Sequence, residues 1–225
     1  MSERGFLTNS IIEHYCDQHT TAEDDILQQL VRETNLKMMM PHMLCSNIQG
    51  RFLTMLVELI NPKTVLELGT FTGYSAICLA RGLPKNALLV TIDNNPEVED
   101  LARKYFKLSG LEEKIDFIIG DALHVVPDLN MKFDIAYIDA DKERLPDYYQ
   151  SVLEKMVFGG LIVVDNILWY GKAADPKQND RITRKIREFN KLVQTDERVT
   201  NVLMPLYDGV MVIRKKPFTD DTKVK

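Results

Sequence analysis

The sequence predicts an α/β fold with a mostly parallel sheet, helices on both of its faces, and an antiparallel element at the C-terminal end. From Thr64 onward, short apolar runs alternate with amphipathic segments of helical length, the pattern of right-handed β-α-β crossovers. The runs are apolar throughout, which is typical of strands covered on both faces. Near the end, two strand-like runs (201–207 and 210–214) flank Asp208-Gly209, a signal for a tight hairpin.

The alternation assigns the individual elements of this domain. Strands are predicted at 64–68, 88–92, 115–119, 134–138 and 161–165. Helices are predicted at 74–82, 96–108, 147–157 and 179–194. We therefore expect one α/β domain over residues 62–225.

Residues 1–61 contain helical patterns only, and we expect a helical N-terminal extension that acts as a cap or in dimerisation. Thr20 or Thr21, ahead of three acidic residues, predicts the N-cap of a first helix. A second helix begins at Ser46, whose spacing to Gln49 fits a capping box. Asn61-Pro62 ends it.

The segment between these two helices, KMMMPHML at 37–44, is too irregular for a regular element. We interpret it as a flexible or lid-like segment, in which Met40 and its neighbouring methionines offer an adaptable apolar surface to a substrate. Packing of these methionines in the core or an interface is an equally good interpretation.

Composition excludes several classes of protein. The chain has 225 residues, 45% of them hydrophobic and 27% charged, with a net charge of −5, which is ordinary for a globular domain and unlike collagen-like or disordered chains. Three cysteines at irregular spacing indicate neither a disulfide framework nor a zinc site. No apolar run approaches a membrane span and the start lacks a signal peptide, so we expect a cytoplasmic protein without a membrane partner.

The first turn of the predicted sheet has the features of a ligand-binding loop. Gly69 and Gly73 lie between the first strand and its helix, where doubly wound folds bind ligands. Asp93 ends the next strand, at the distance where a carboxylate accepts hydrogen bonds from ribose hydroxyls. The dinucleotide pattern is broken at Phe71, and Glu67 places a carboxylate nearby, which favours a ligand carrying an ammonium or sulfonium over a pyrophosphate.

A second group of polar residues follows the fourth and fifth parallel strands. Asp139, Asp165 and Asn166 come directly after these strands, so they are expected to project from neighbouring strand ends into one crevice. Two carboxylates and an amide form an oxygen site that suits Mg²⁺, Mn²⁺ or Ca²⁺ rather than zinc or copper. Taken singly, each residue could instead serve as a turn or helix-cap residue.

These motifs resemble the cation-dependent O-methyltransferases of the catechol and caffeoyl-CoA type, a class I methyltransferase family that uses S-adenosylmethionine. The resemblance is carried by ELGTFTGYS, TIDNN, GDAL, YIDADK and DNILWYG, within residues 49–214. It implies a Rossmann-like, seven-stranded sheet with a reversed final strand. The implied cofactor-binding residues are Glu67, Gly69, Thr70, Gly73, Ser75, Asp93, Asp121, Ala122, Asp139 and Asp141.

The resemblance also implies a reaction. A divalent cation held by Asp139, Asp165 and Asn166 would bind two vicinal hydroxyls, lower the pKa of one and orient it toward the methyl group. Lys142 is the candidate general base and, with Asp139, the catalytic pair. Trp169 and Tyr170, together with Met40, are the candidate substrate contacts. The implied substrate is a small aromatic diol, catechol-like or phenylpropanoid, and the implied assembly is a homodimer.

Other interpretations stay open at this point. The same cofactor and metal site could serve a tRNA methyltransferase acting on 5-hydroxyuridine, with Arg181, Arg184, Lys185 and Arg187 at phosphates. These residues are better explained as the solvated face of a helix. A nicotinamide dehydrogenase is disfavoured by Phe71 in the glycine loop, and a catalytically silent binding domain is disfavoured by the complete acidic cluster.

Overall fold

The computed structural model describes residues 10–217, within which seven strands form one mixed sheet in the order β3-β2-β1-β4-β5-β7-β6. The strands are β1 (Thr64–Leu68), β2 (Leu88–Asp93), β3 (Ile115–Ile119), β4 (Phe133–Ile138), β5 (Met156–Val164), β6 (Val199–Met204) and β7 (Val210–Lys215). Strands β1 to β5 are parallel, and β7 runs antiparallel to both β5 and β6. The predicted fold class is confirmed.

Of the α-helices that the structure describes, three precede the first strand and the other five connect successive strands. The described α-helices are α1 (Ser10–Gln18), α2 (Asp25–Lys37), α3 (Asn47–Ile60), α4 (Tyr74–Gly82), α5 (Glu99–Leu108), α6 (Ala122–Asp128), α7 (Leu145–Lys155) and α8 (Arg181–Thr195). Short 3-10 turns occupy Pro41–Met43, Pro96–Val98, Glu112–Lys114 and Lys142–Arg144. Across residues 10–217, none of the helices combines the length and apolar character that a membrane span requires.

The sheet is covered on both faces because its strands alternate buried side chains between two cores. In β1, Val65 packs into a core with α2, α3, α4 and α5, whereas Leu66 and Leu68 pack into one with α6, α7 and α8. Two-residue periodicity in a strand places these side chains on opposite faces. The N-terminal helices share the first core, through residues such as Leu30 and Val57.

The caps of the N-terminal helices differ in how well they were predicted. The N-cap of α2 is Asp24, whose side chain accepts a hydrogen bond from the Leu27 amide, so the prediction of Thr20 or Thr21 is wrong. An aspartate caps as well as a threonine, and Asp24 lies directly before the helix. The capping box of Ser46 and Gln49 in α3 is confirmed. The prediction that the start has no signal peptide rests on residues 1–10, and residues 1–9 lie outside the described part of the chain.

The structure differs from the predicted elements at a helix–strand boundary, at a short helix and at the C-terminal hairpin. Helix α7 ends at Lys155, and β5 already begins at Met156, because this strand extends five residues before the apolar run at 161. Helix α6 was not predicted, since it is short and contains Pro127. The tight hairpin is also wrong: β6 ends at Met204 and β7 begins at Val210, so a five-residue loop connects them.

Candidate active site

A cavity of about 570 Å³ lies at the carboxyl ends of the parallel strands, the position at which open α/β sheets bind ligands. Its wall contains residues that follow β1, β2, β3, β4 and β5, together with the segment around Met40 and the loop between β6 and β7. The predicted residues in this wall are Met40, Gly69, Thr70, Ser75, Asp93, Asp121, Ala122, Asp139, Asp141, Lys142, Asp165, Asn166, Trp169 and Tyr170.

Gly69 allows the loop after β1 to pass against the loop after β4. Its φ is +101°, and a Cβ at this position would lie 2.2 Å from the Asp139 carbonyl oxygen. Phe71 has a positive φ of 46°, and its amide donates a 2.7 Å hydrogen bond to Asp93 Oδ2. Gly73 is the N-cap of α4 and a Cβ there would meet Phe106, so its role is to fit the helix against α5 rather than to line the cavity.

Glu67 lies beneath the loop and is fully buried. Its Oε2 accepts a 2.5 Å hydrogen bond from the Thr91 hydroxyl, while its Oε1 has no hydrogen-bond partner among the described residues. Burial raises the pKa of Glu67 to about 8. The chain alone therefore holds this carboxyl largely protonated at neutral pH, in contrast to the negative charge expected from the sequence.

Two of the implied cofactor-binding residues, Asp121 and Asp141, are cap residues, and Asp121 also forms an ion pair. Asp121 caps α6 by accepting from the Leu123 amide, and its Oδ2 lies 3.0 Å from Arg144 Nη1. The hydrogen bond with Arg144 lowers the pKa of Asp121. Asp141 accepts from the Glu143 amide at the start of the 3-10 turn, which places Lys142 at the cavity.

Lys142 connects the ends of β4 and β5. Its Nζ donates to Asp139 Oδ1 at 2.6 Å and to the Asp165 carbonyl oxygen at 3.2 Å, and the residue is 9% exposed. A lysine side chain that extends into solvent would not make these contacts. Asp139, Lys142, Asp165 and Asn166 thus line one crevice, as the sequence predicted.

The Asp165 carboxylate is enclosed by donors. Its Oδ2 accepts hydrogen bonds from Gln49 Nε2 at 2.5 Å and from the Tyr137 hydroxyl at 3.0 Å. Its Oδ1 accepts one from the backbone amide of Asn166 at 2.7 Å. Burial and the nearby charge of Asp139 raise the pKa of Asp165. A buried carboxylate with a second carboxylate nearby is stabilised by a cation beside it.

The cavity carries an excess of negative charge. Among the described residues in its wall, six are aspartates, and Lys142 is the one lysine or arginine. The aspartates are Asp93, Asp121, Asp139, Asp141, Asp165 and Asp208. Within residues 10–217 no three His, Cys, Asp or Glu side chains are grouped closely enough to hold a metal ion, so a site here needs an amide such as Asn166 as its third ligand.

Three site residues were missed because their partners are distant in sequence. Gln49 and Tyr137 hold Asp165, and Asp208 accepts from the Tyr170 amide at 2.5 Å. Gln49 was identified only as a capping residue and Asp208 only as a turn residue. For Tyr137, the signal in the sequence was its place inside the apolar run of β4, which predicts that the side chain is buried.

Trp169 and Tyr170 lie in the cavity wall with ring centroids 5.4 Å apart.

Helix α8 does not have the fully solvated basic face that was expected, because Arg187 is half-buried. Its guanidinium donates to the carbonyl oxygens of Lys172, Ala173, Asp175 and Gln178. Arg187 therefore holds the loop after Tyr170 and is engaged within the chain.

Comparison with known protein sequences identifies relatives of this chain. Caffeoyl-CoA O-methyltransferase from Populus kitakamiensis is 35% identical over 178 residues, which cover 74% of this chain and 76% of the relative. Catechol O-methyltransferase from Niastella koreensis is 34% identical over 209 residues, which cover 88% of this chain and 94% of the relative.

Solved structures and a family model agree with these relatives. An O-methyltransferase from Bacillus cereus, solved in complex with SAH, superposes with a TM-score of 0.85 at 28% identity, covering 92% of this chain and 97% of that chain. TomG, an O-methyltransferase from Streptomyces achromogenes solved with SAM, gives 0.84 at 28% identity, covering 96% and 100%. The model of a family described as O-methyltransferase matches residues 17–216, and the chain belongs to this O-methyltransferase family.

Proposed function

We propose that this protein is a divalent-cation-dependent enzyme that transfers a methyl group from S-adenosylmethionine to one hydroxyl of a small vicinal diol. The observation that carries the proposal is the arrangement of Asp139, Lys142, Asp165 and Asn166 in the wall of one acidic cavity. The family supports the methyl transfer, and the two solved relatives that bind SAM or SAH support the methyl donor.

The residues fit a divalent cation by the chemistry of their donors. Asp139 and Asp165 supply carboxylates and Asn166 an amide oxygen, the ligand types that Mg²⁺, Mn²⁺ and Ca²⁺ prefer. Burial, and after it the charge of Asp139, raises the pKa of Asp165, and the charge of Lys142 opposes this shift. A bound cation would act as a Lewis acid that lowers the pKa of a hydroxyl and orients it.

The cofactor expected here is a sulfonium, which supplies the methyl group. The acidic wall suits a positively charged ligand, and we expect Asp93 to bind the ribose hydroxyls. Gly69, Thr70 and Ser75 would bind the amino-acid portion, and Asp121 and Ala122 would lie at the adenine. These roles follow the family resemblance, and their positions in one cavity wall support them.

Lys142 is the group that we expect to move the proton. As the free amine, Lys142 Nζ would accept the proton of the substrate hydroxyl when that oxygen takes the methyl group that the cofactor supplies. Asp139 and the Asp165 carbonyl oxygen then stabilise the ammonium through the contacts already described. Trp169, Tyr170 and Met40 would contact the aromatic ring, and the lid-like role of the segment at 37–44 stays a prediction.

A small aromatic diol is the substrate class that the relatives support. Their names specify caffeoyl-CoA and catechol as acceptors, and both carry adjacent hydroxyls on one ring. The tRNA alternative has no support from these relatives. Arg187, one of the residues that could contact phosphates, already binds carbonyl oxygens of its own chain.

The test is methyl transfer to a panel of acceptors with and without a chelator. We expect methylation of catechol and caffeate, none of phenol, which lacks the second hydroxyl, and no methylation of RNA that contains 5-hydroxyuridine. EDTA should abolish transfer while SAM binding, measured by calorimetry, is largely retained. Full turnover in EDTA would refute the metal dependence, and methylation of the RNA alone would favour the tRNA function.

The remaining expectations concern assembly and location. We expect a homodimer, since apolar side chains on the N-terminal helices are exposed, among them Leu36, Met55 and Leu59. We also expect a cytoplasmic enzyme. The division into an extension (1–61) and a methyltransferase domain (62–225) stays a prediction.

A further inference from the structure

Asp165, one of the candidate metal ligands, already uses most of its hydrogen-bonding capacity within the chain. An ionised carboxylate has about four lone-pair sites, two on each oxygen. Gln49 Nε2 at 2.5 Å and the Tyr137 hydroxyl at 3.0 Å occupy both sites of Oδ2. Among the described hydrogen bonds, Oδ1 accepts only one, from the backbone amide of Asn166. The site that remains for a further ligand is therefore on Oδ1.

The two donors at Oδ2 are fixed by the structure around them. Tyr137 belongs to β4, which is paired on both sides, with β1 and with β5. Gln49 lies in the first turn of α3, and its Oε1 accepts from the Ser46 backbone amide. Because that amide can only donate, the NH₂ group of Gln49 must face Asp165. Both side chains are buried, and turning away would leave a buried polar group unpaired.

The second carboxylate of the site is also engaged. Asp139 Oδ1 accepts from Lys142 Nζ at 2.6 Å, so neither Asp139 nor Asp165 has both oxygens free of hydrogen bonds. Divalent cations differ in how many oxygens they need. Ca²⁺ takes about six to eight oxygen ligands and often binds both oxygens of one carboxylate, whereas Mg²⁺ requires about six in a near-ideal octahedron. Mn²⁺ uses the same octahedral set of oxygens.

We propose that Gln49 and Tyr137 are positioning residues that restrict Asp165 to coordination through one oxygen and thereby make the site select Mg²⁺ or Mn²⁺ over Ca²⁺. The inference rests on the proposed function, because it takes Asp165 as a ligand of the cation. It decides among three cations that the donor types alone leave open. Removing either donor opens Oδ2 to the cation, which should benefit Ca²⁺ most because Ca²⁺ uses the additional oxygen.

The experiment measures binding of Mn²⁺ to the full chain by electron paramagnetic resonance, followed by displacement of the bound Mn²⁺ with Ca²⁺. The wild-type chain should bind Mn²⁺ more tightly than Ca²⁺. For Tyr137→Phe, which removes only the hydroxyl, we expect Mn²⁺ binding to weaken by roughly tenfold, the usual loss when a partner of a metal ligand is changed. Affinity for Ca²⁺ should fall much less, so the preference for Mn²⁺ narrows.

Two further variants accompany this measurement. Gln49→Ala removes the other donor and should narrow the preference in the same direction, which tests the proposal independently of how well Tyr137→Phe folds. Tyr149→Phe is the matched control. Tyr149 is likewise a buried tyrosine whose hydroxyl donates to a carboxylate, Asp196 Oδ2, at 2.9 Å, but the described cavity wall contains neither of these two residues. Its affinities for both cations should match those of the wild type.

The ratio of the Mn²⁺ and Ca²⁺ dissociation constants separates the proposal from a merely structural role, which would weaken binding of both cations by the same factor. A ratio that does not move toward Ca²⁺ in a folded Tyr137→Phe or Gln49→Ala variant would overturn the proposal. Equal affinity of the wild type for Mn²⁺ and Ca²⁺ would overturn the selectivity and leave a metal site in place. A wild-type chain that binds neither cation would overturn the proposed metal dependence as well.

Discussion

Gln49 Nε2 donates a 2.5 Å hydrogen bond to Asp165 Oδ2, although the two residues are 116 positions apart in the sequence. The other end of the same side chain, Oε1, accepts from the Ser46 amide and the Ser46 hydroxyl. One glutamine therefore both caps α3 and holds a carboxylate at the end of β5. The N-terminal helices are connected to the candidate active site through this side chain.

Gln49→Ala should weaken both of these functions. The change removes a donor from a buried carboxylate and one half of the capping box, and we expect the free energy of unfolding to fall by about 1–3 kcal/mol. Binding of Mn²⁺ should weaken as well. Urea unfolding and Mn²⁺ titration measure the two effects. Gln28→Ala, at an exposed glutamine that bonds only locally to the Glu23 carbonyl oxygen among the described contacts, should change neither.

Lys142→Met should lower kcat for a catechol by at least about a hundredfold, the usual contribution of a general base. Methionine keeps much of the side-chain volume and removes the basic nitrogen. The dissociation constant of SAM should change much less than kcat. Lys172→Met is the control, because the side chain of that lysine is 41% exposed and its ion pair with Asp180 is long, at 3.8 Å. Unchanged turnover in Lys142→Met would remove the residue from the proposed role.

Gly69→Ala should abolish cofactor binding or destabilise the fold, because the added Cβ would lie 2.2 Å from a backbone oxygen of Asp139 that cannot easily move. Gly110→Ala separates this clash from backbone strain. Gly110 also has a positive φ, of +67°, but a Cβ there would meet nothing within 4 Å. We expect it to lose only about 1 kcal/mol of stability and to keep its affinity for SAM, as measured by calorimetry.

Glu67→Gln should change how stability depends on pH. The pKa of Glu67 rises from its ordinary value of 4.5 to about 8 in the folded chain. Between these values the unfolded chain has released a proton that the folded chain retains, so this residue makes stability fall as pH rises. Above about pH 8 both states are ionised and the effect levels off.

The measurement compares urea unfolding of the wild type and Glu67→Gln, without cofactor, from pH 5 to pH 8. Relative to the wild type, the variant should gain stability across this range by roughly 1 kcal/mol per pH unit near its middle. Asp165 titrates in both proteins, and the difference between them isolates Glu67. A difference that stays constant with pH would show that Glu67 is ionised in the folded chain.

Leu59→Glu should shift the protein toward monomer in sedimentation velocity if the exposed apolar side chains of α2 and α3 form the expected dimer interface. Leu59 is 79% exposed, so the isolated fold has no packing to lose there. Leu108→Glu, at another exposed leucine on α5, should leave the sedimentation coefficient unchanged. A wild-type chain that sediments as a monomer at micromolar concentration would contradict the dimer.

Periodicity and strand ends explain why much of the fold could be predicted from the sequence. β1 and β3 begin and end as predicted, because apolar runs bounded by polar residues are local signals. β5 could not be delimited, since its first residues include two glycines that resemble a turn. Asp24 competed with two threonines as an N-cap; aspartate is the better capping residue, and it lies directly before the first residue of α2.

The candidate site likewise has residues whose proximity could be predicted from the sequence and residues for which it could not. Asp139, Lys142 and Asp165 follow strands that are adjacent in the sheet, so their proximity follows from topology. Gln49 and Asp208 reach them from a helix and a hairpin loop far away in sequence, and no local pattern records that a capping or turn residue has a second, tertiary partner. Glu67 was placed correctly under the loop, but its protonation depends on burial that the sequence does not specify.

Among residues 10–217, six non-glycine residues have a positive φ, and five of them lie in the wall of the cavity: Phe71, Asn166, Trp169, Tyr170 and Tyr207. Glycine at any of these positions would relieve local strain but would remove a side chain from the cavity wall. Selection for heat resistance alone would therefore favour variants that are more stable but have lost side chains from the wall of the cavity. Stabilising substitutions should avoid these five positions and be placed first at the amino ends of the parallel strands, on the side of the sheet away from the cavity.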